Sequence, residues 1–380
     1  MPSPTNISII VNNNCNLNCE YCYALNNQKN DDDIKSALKF IKNLAKKQRS
    51  KTKINVILCG GEPLIKRKRV LEIINILQRN KKINIILNTN GTLLDQYKIN
   101  ELKKFNKVAI SIDGTKETQN KGRSNSFEKV SKNIQWAKEK NIHLILSKVI
   151  YSGNCNSVFK DMKFLFETFR LPINIIMAKG DNGWDIKKII QLKKEFKKLL
   201  LFLKSLNKKN LRKYFGFLFF IPISFCPFTR IVFDNNSKIY NCEILASNNI
   251  KSIGNIKDYK NNYVECVYDL NKEVCRKELC LECEHYCDNI KKNFGWYKQS
   301  LYFINYILEN YKKDKDVVLD YVEIYVENEK NMITINNAGC VIYSLLRFNL
   351  LKNGTKVYVN SKNKDIINKI KEQFRFLDNQ

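Results

Sequence analysis

The fold of this chain is predicted most directly by one segment, Ile7-Ser-Ile-Ile-Val-Asn-Asn-Asn-Cys15-Asn-Leu-Asn-Cys19-Glu-Tyr-Cys22. Its largely apolar start, Ile7 to Val11, is typical of a buried strand and leads directly into three cysteines with CxxxCxxC spacing. Thiolates are the usual ligands of iron–sulfur clusters, and a [4Fe–4S] cube needs one ligand for each iron. Three local cysteines leave one iron open, and an open metal position is where chemistry takes place. The segment therefore predicts a strand that ends in a reactive cluster.

A zinc knuckle is the alternative interpretation of these cysteines. Structural zinc takes four ligands. The two histidines of the chain, His143 and His285, are both far from the cysteines in sequence. The spacing therefore favours the cluster.

Short apolar runs alternate with longer segments that carry apolar residues at helical spacing. This alternation predicts βαβ units and a parallel sheet. Strands this apolar suit a sheet that is buried on both faces. The six runs are 7–11, 54–58, 83–87, 108–112, 142–150 and 173–177.

Glycine-rich and polar motifs follow the ends of these runs. Paired glycines remove Cβ atoms and let the backbone approach a ligand closely, and a glutamate accepts charge-assisted hydrogen bonds from an ammonium group. Catalytic residues gather at this end of the strands in βα barrels. The motifs are Cys59-Gly60-Gly61-Glu62-Pro63, Asn88-Thr89-Asn90-Gly91, Ser111 with Asp113, and Arg123.

In this order the motifs resemble those of the radical S-adenosylmethionine (SAM) superfamily. The resemblance implies an α/β fold, a partial (β/α)6 TIM-like barrel, and a [4Fe–4S] cluster on Cys15, Cys19 and Cys22 whose open iron chelates SAM. It implies reductive cleavage of SAM to a 5′-deoxyadenosyl radical that abstracts hydrogen from a substrate. The segment around Glu62 would hold the SAM amino group, Ser111 the ribose and Arg123 the carboxylate. The full implied SAM-binding set is Tyr21, Gly60, Gly61, Glu62, Pro63, Asn90, Ser111, Asp113 and Arg123.

Beyond residue 215 the helical periodicity stops and cysteines return. Two runs, Ile231 to Asp234 and Lys238 to Glu243, predict a β-hairpin with a cysteine before it and another in its second arm. This pattern resembles the SPASM or Twitch extensions, which bind auxiliary [4Fe–4S] clusters. The resemblance implies at least one auxiliary cluster, with ligands drawn from Cys226, Cys242, Cys275, Cys280, Cys283 and Cys287.

The match to these extensions has gaps. Ser237 stands where the family usually has glycine, and the later cysteines do not follow the family's longest pattern. A second auxiliary cluster that uses Cys266 or Cys340 stays open, and a zinc ribbon is the alternative for this region taken alone. Cys59 and Cys155 are expected to be packed thiols, because free cysteine is commonly buried.

Glu243 directly follows Cys242. In the anaerobic sulfatase-maturating branch of the SPASM enzymes, an aspartate at the corresponding position is the proposed base. A carboxylate beside a cluster suits that role, so the resemblance implies that Glu243 is catalytic. An exposed charge on a hairpin is the alternative.

Length and composition limit the remaining possibilities. The 380 residues suffice for two or three domains. The expected division is a barrel at 1–215, an auxiliary-cluster domain at 216–295 and a small α/β domain of unknown role at 296–380. Within the last, strands are expected at Val317 to Val326, Met332 to Ile335 and Thr355 to Val359, with helices at 339–351 and 364–374.

The thirteen cysteines and the absence of a signal-like start favour a cytoplasmic protein with reduced thiols. No stretch is apolar enough to predict a membrane span. The net charge of +29 comes from 66 basic and 37 acidic residues spread along the chain. It is interpreted mainly as a solvated lysine-rich surface, with a nucleic acid or an acidic peptide as alternative partners.

The function implied by the resemblance is modification of a ribosomally synthesised peptide or protein by oxidation, crosslinking or epimerisation. The reaction would need an external electron donor of the flavodoxin or ferredoxin type. Two alternatives remain, dehydrogenation of a small molecule such as an amino sugar, and modification or binding of nucleic acid. The sequence alone does not choose the substrate, the reaction outcome or the oligomeric state.

Overall fold

A computed structural model describes a little over half of the chain. The described residues are 6–23, 34–47, 53–178, 183, 185–207, 209–210, 213–215, 230–240, 246–247, 252, 254–259, 322–326, 331–335 and 357–360.

The main body alternates strands and helices along the chain. Its strands are β1 (Asn6–Asn12), β2 (Ile54–Gly60), β3 (Ile83–Thr89), β4 (Lys107–Ser111), β5 (Leu144–Ile150), β6 (Ile173–Met177), β7 (Arg230–Phe233), β8 (Lys238–Tyr240) and β9 (Gly254–Asn255). Its helices are α1 (Lys35–Lys47), α2 (Arg67–Leu77), α3 (Ile99–Leu102), α4 (Lys116–Gly122), α5 (Phe127–Glu139), α6 (Val158–Phe169) and α7 (Ile186–Ser205).

Strands β1 to β6 form a parallel sheet in which each strand pairs with the next one along the chain. Each of the six apolar runs predicted to be strands overlaps one of these strands, and their ends differ by at most two residues. Parallel neighbours require a crossover connection, and at least one helix supplies it between each consecutive pair. The α/β fold is therefore confirmed, and the described sheet is open, with β6 at one edge and β9 at the other.

The core lies on both faces of this sheet. Strand β1 buries six of its seven residues, and its neighbour β2 buries Ile54, Val56 and Leu58 completely. Helix α2 buries Val70, Ile73, Ile74 and Leu77, at the spacing of one helical face. Fully burying a side chain of this size stabilises a fold by roughly 1.5–3 kcal/mol.

The predicted hairpin is confirmed, and it extends the main sheet. Strand β7 pairs in parallel with β1, placing Ile231 opposite Ile7, and β8 returns antiparallel to β7. The turn contains Ser237, which has a positive φ of 60° and a fully buried side chain. Its hydroxyl accepts a hydrogen bond from the Ala37 N–H of α1 at 3.3 Å. The domain boundary predicted at residue 215 stays a prediction, because 216–229 lie outside the described residues.

The described part of the C-terminal segment is a separate three-stranded sheet. Strands β10 (Val322–Val326), β11 (Asn331–Ile335) and β12 (Val357–Asn360) are antiparallel, in the order β11-β10-β12. They overlap the three strands expected there. The expected helices at 339–351 and 364–374 lie outside the described residues.

Among the described helices, none combines the length and the apolar content needed to cross a membrane.

Candidate active site

The three N-terminal cysteines lie in one loop at the carboxyl end of β1. Cys15 and Cys19 are partly buried and Cys22 is exposed, and none of the three forms a disulfide with a described residue. The Leu17 N–H points at the Cys15 Sγ at 3.4 Å. The Cys22 N–H donates to the Cys19 carbonyl at 3.1 Å, which closes a tight turn between the second and third thiols.

These thiols fit a [4Fe–4S] cluster better than a single metal ion. No group of three His, Cys, Asp or Glu side chains among the described residues is arranged to hold one ion. A cubane separates its ligands more widely, because each thiolate binds a different iron. The thiols still share a neighbourhood, since negative charge on Cys15 or Cys22 raises the pKa of Cys19.

Burial raises the pKa of Cys19 to about 11, and the Arg123 guanidinium partly offsets this rise. Burial also raises the pKa of Cys15. A metal centre would displace these protons when it binds.

The paired glycines pack the turn after β2 directly against the segment that leads into Cys15. The Gly61 N–H donates to the Asn12 carbonyl at 2.9 Å, and the Glu62 N–H donates to the Asn14 carbonyl at 2.8 Å. A Cβ atom at Gly60 or at Gly61 would lie 2.2 Å from one of these two carbonyl oxygens. Gly60 also has a φ of +130°, which L side chains rarely adopt. Only glycines allow this close backbone approach beside the cluster loop.

Glu62 connects the turn after β2 to the turn after β3. Its side chain is fully buried. One oxygen accepts from the Leu64 N–H at 2.9 Å and from the Thr89 hydroxyl at 2.8 Å, and the other accepts from the Asn90 N–H at 2.7 Å. Burial raises the pKa of Glu62 to about 7, against these three hydrogen bonds. The other oxygen, which accepts only one hydrogen bond, has a lone pair left for a SAM ammonium. The direct contact stays a prediction.

Asn90 lies between this turn and the cluster loop. Its amide nitrogen donates to the Asn16 side-chain oxygen at 2.8 Å and points at the Cys15 Sγ at 3.8 Å. Its own side-chain oxygen accepts from the Thr92 N–H at 3.0 Å, which fixes the orientation of the amide. Asn90 therefore orients the cluster loop at its first thiol.

Tyr21, Asp113 and Arg123 form a hydrogen-bonded unit beside the second thiol. The Arg123 Nε donates to the Asp113 Oδ2 at 2.9 Å, and the Tyr21 hydroxyl donates to the same oxygen. The guanidinium lies 5.2 Å from the centre of the Tyr21 ring, and its Nη1 is 4.0 Å from the Cys19 Sγ. The sequence assigned each of these residues to SAM binding, and the structure brings all three together. We refer to them below as the Tyr21–Asp113–Arg123 unit.

The charges of this unit are strongly coupled. Burial by itself would lower the pKa of Arg123, but the Asp113 carboxylate together with negative charge on Tyr21 and Cys19 outweighs it, so this pKa lies above its ordinary value. Burial raises the pKa of Tyr21 well above its ordinary value, and the Asp113 charge adds to this effect. Arg123 is therefore a fixed cation, and Tyr21 is a hydrogen-bond donor rather than a phenolate.

The remaining predicted SAM-binding residues lie at the same edge of the sheet. Pro63 is buried directly after Glu62. Ser111 is half-buried at the end of β4, and its hydroxyl forms no hydrogen bond with a described residue. The auxiliary cysteines and the proposed base lie outside the described residues: Cys226, Cys242, Cys275, Cys280, Cys283, Cys287 and Glu243.

Two contacts that hold the cluster loop were not predicted from the sequence. The Tyr151 hydroxyl donates to the Glu20 carboxylate at 2.7 Å, and its ring lies 4.6 Å from that of Tyr21. The Asn18 N–H donates to the Ser124 hydroxyl at 2.9 Å, and the hydroxyl donates back to the Asn18 carbonyl at 2.9 Å. Neither pair has a sequence signal, because each joins an ordinary polar residue to a partner more than a hundred positions away.

A third contact had a signal that sequence reasoning missed. Lys148 interrupts a largely apolar strand, and Asp161 occupies the apolar face of a helix between Val158 and Leu165. Charged residues at positions that face a core are rarely buried unless they are paired. In the structure these two form a fully buried ion pair with an Nζ–Oδ2 distance of 2.9 Å.

Comparison with known proteins agrees with this geometry. The family model described as Radical SAM superfamily matches residues 9–192. An uncharacterized protein of Methanocaldococcus jannaschii is 28% identical over 222 residues, which is 54% of this chain and 75% of that protein. A GTP 3′,8-cyclase of Clostridium perfringens is 29% identical over 55% of this chain and 68% of its own length. A cysteine-type anaerobic sulfatase-maturating enzyme of Clostridium novyi is 29% identical over 40% of this chain and 45% of its own length.

Solved structures share the fold. The enzyme anSMEcpe with bound AdoMet and Kp18Cys peptide superposes with a TM-score of 0.57 at 20% identity, over 71% of this chain and 82% of that one. Streptococcus suis SuiB bound to precursor peptide SuiA gives a TM-score of 0.54 at 14% identity, over 71% of this chain and 66% of that one.

Proposed function

Because residues 9–192 are a radical SAM domain, we propose that this enzyme reductively cleaves SAM and abstracts hydrogen from a ribosomally synthesised peptide or protein. The observation that carries the proposal is the Tyr21–Asp113–Arg123 unit, which places a fixed cation next to the second thiol of the cluster loop. A carboxylate-bearing cosubstrate bound at the cluster would meet this cation.

The cluster ligands in this proposal are Cys15, Cys19 and Cys22. A [4Fe–4S] cluster bound there supplies the single electron that cleaves the SAM sulfonium. Arg123 holds the SAM carboxylate: Asp113 occupies its Nε and Cys19 faces its Nη1, whereas its Nη2 has no hydrogen bond with a described residue. The open hydroxyl of Ser111 is the ribose contact, and the backbone at Gly60 and Gly61 lets the SAM amino group approach closely.

The experiment that tests SAM cleavage is release of 5′-deoxyadenosine under anaerobic, reducing conditions. Simultaneous replacement of Cys15, Cys19 and Cys22 by alanine should abolish release. The matched control is Cys155→Ala, which removes a thiol that is buried in the hydrophobic core and is not a proposed ligand. Release that persists in the triple variant would contradict the assignment of the loop.

A peptide substrate is supported by relatives and by charge. The related sulfatase-maturating enzyme of Clostridium novyi acts on a protein, by its name, and both anSMEcpe and SuiB have been solved with peptides bound. The net charge of +29 would steer an acidic peptide toward this surface. Co-expression with short peptides encoded beside the gene, followed by mass spectrometry, should show a mass change that requires Cys15, Cys19 and Cys22.

A small molecule is the second candidate substrate. The alignment with a GTP 3′,8-cyclase, which covers more of this chain than the alignment with the sulfatase-maturating enzyme, favours it. Consumption of GTP by the reconstituted protein, with no mass change in any co-expressed peptide, would select this candidate over the first.

The proposal extends to the cysteine-rich segment. At least one auxiliary [4Fe–4S] cluster would be held by Cys226, Cys242 and partners from Cys275, Cys280, Cys283 and Cys287. Glu243 would act there as the base that deprotonates the substrate. If so, Glu243→Gln should slow product formation much more than release of 5′-deoxyadenosine, and Glu243→Asp should restore part of it.

A further inference from the structure

Stability alone does not explain the buried ion pair between Lys148 and Asp161, because such pairs are seldom stabilising. Both side chains are fully buried, and the desolvation of two charges often exceeds their mutual attraction. Asp161 is nevertheless completely satisfied. It accepts from the Thr115 N–H at 3.1 Å, the Thr118 hydroxyl at 2.8 Å and the Ser157 hydroxyl at 2.7 Å. The pair is thus held in one arrangement from several sides.

Lys148, held by Asp161, in turn helps to fix the position of Asp113. Its Nζ also donates to the Asp113 main-chain carbonyl. The Asp113 N–H donates to the Gln119 side-chain oxygen at 2.7 Å, and the Asp113 Oδ1 accepts from the Val149 N–H at 2.9 Å. Main chain and one carboxylate oxygen are therefore clamped, and Oδ2 is aimed at Tyr21 and Arg123.

The contacts form a continuous path from helix α6 to the cluster loop. Asp161 holds Lys148, Lys148 holds Asp113, and Asp113 holds Arg123. The path ends where the Arg123 Nη1 faces the Cys19 Sγ. Every link is a hydrogen bond or ion pair between buried groups, in surroundings where such contacts are strong and an unpaired group is costly.

We propose that Lys148 and Asp161 are a positioning pair that aims the Asp113 carboxylate, and through it orients Arg123 toward the SAM carboxylate and holds the cluster loop. The inference rests on the proposed function, because it assumes that Arg123 binds SAM. A pair that served only stability would be replaceable by neutral side chains at little cost to SAM binding.

The double variant Lys148→Met with Asp161→Asn separates these two roles. Methionine keeps the length of the lysine side chain, and asparagine keeps an oxygen for the Thr115 and Thr118 donors. No unpaired charge is left in the core, so the free energy of unfolding should stay close to the wild-type value. The bond from Lys148 to the Asp113 carbonyl is lost, however, so Asp113 is held less firmly, by its contacts to Gln119 and Val149.

The matched control is Lys160→Met with Glu117→Gln. This ion pair joins α4 to α6, the helix that carries Asp161, at 3.4 Å, but both of its side chains are mostly exposed. Exposed pairs contribute little, so the control should behave as the wild type.

Two measurements on the 380-residue chain decide between these roles. The Kd for SAM of the reconstituted protein should rise about tenfold in the double variant, as expected from loss of one charge-assisted contact. Hydrogen exchange of the backbone amides of residues 15–23, measured without the cluster, should become several-fold faster. Thr118→Val should move both quantities in the same direction by less, and it replaces the double variant if that variant does not fold.

Unchanged SAM affinity and unchanged exchange in the double variant would overturn the inference, as would equal changes in the control. Failure of the proposed function would look different: the wild type itself would release no 5′-deoxyadenosine, while the exchange comparison would still decide whether the pair holds the loop.

Discussion

At the scale of single residues, ligand binding depends on which polar atoms already have hydrogen-bond partners in the protein and which are left for a ligand. Arg123 commits one nitrogen to Asp113 and turns a second toward Cys19, so its planar fork serves two partners at once. Tyr21 was expected to bind the cofactor, and in the structure its hydroxyl is bonded to Asp113. Its ring covers the Arg123 guanidinium and shields this cation from water, so Tyr21 also supports the site through Arg123.

Arg123→Lys tests whether SAM binding needs the planar guanidinium group at this position. A lysine keeps the charge but has one nitrogen, which cannot meet both Asp113 and a carboxylate ligand in fixed geometry. The Kd for SAM should rise about tenfold or more, measured on the reconstituted protein. Arg170→Lys, at an exposed arginine after α6, is the control. Equal SAM affinity in Arg123→Lys and the wild type would exclude a carboxylate contact at this position.

The buried glutamate predicts a pH dependence of stability. Glu62 has a pKa of about 7 when folded, against an ordinary value of 4.5, so between these values the folded chain holds a proton that the unfolded chain has lost. The stabilisation of the fold by protonated Glu62 is therefore complete below pH 4.5 and decreases as the pH rises through about 7. The total change is about 3 kcal/mol.

Glu62→Gln should remove this slope from the free energy of unfolding, measured by denaturant titration at several pH values. Glu72→Gln changes an exposed glutamate on α2 and should keep the slope. An identical pH profile in Glu62→Gln and the wild type would show that Glu62 stays ionised in the fold throughout this range.

At the scale of secondary-structure elements, the parallel strands could be predicted because their signal is local. Each of β1 to β6 is a short apolar run, and the motifs follow the strand ends where ligands collect. The pairing of β7 with β1 could not be predicted, because a hairpin pattern contains no information about which distant sheet edge it joins. The Lys148–Asp161 pair was predictable only in part. The sequence shows two charged residues at positions that face the core, but it does not show that they contact each other.

The β7–β8 turn offers a test of local strain at Ser237. Its positive φ is unfavourable for any residue with a Cβ, and its hydroxyl compensates by bonding to the Ala37 N–H. Ser237→Ala keeps the strain and loses the bond, so it should reduce the free energy of unfolding by about 1–2 kcal/mol.

Ser237→Gly loses the same bond but relieves the strain, so it should lie within about 1 kcal/mol of the wild type. Chemical denaturation of both variants gives the comparison. Alanine that proves as stable as glycine at this position would mean that the turn is not strained.

At the scale of the whole molecule, the barrel-like sheet and the cluster loop are where sequence and structure agree most fully. Both could be predicted because βα alternation and closely spaced ligands are patterns of contiguous residues. The proposed ligands of the cysteine-rich segment are spread from Cys226 to Cys287, so their arrangement would depend on tertiary contacts that no local pattern specifies. The high positive charge is likewise a property of the whole surface rather than of any one element.

The iron content of the whole chain tests the proposed auxiliary site. Anaerobic reconstitution should give about eight irons per chain if one auxiliary cube accompanies the N-terminal one, counting four irons in each. The triple variant of Cys15, Cys19 and Cys22 should keep about four. A wild-type value of about four would remove the auxiliary cluster, and about twelve would indicate a second one.

The proposed function requires that the Cys15–Cys22 loop hold a redox-active cluster with an iron open to SAM. Electron paramagnetic resonance of the reduced, reconstituted protein, recorded before and after addition of SAM, tests it most directly. We expect a [4Fe–4S] signal that changes on addition of SAM in the wild type and is missing from the triple cysteine variant. A protein without such a signal at this loop, or with one that SAM leaves unaltered, would contradict it.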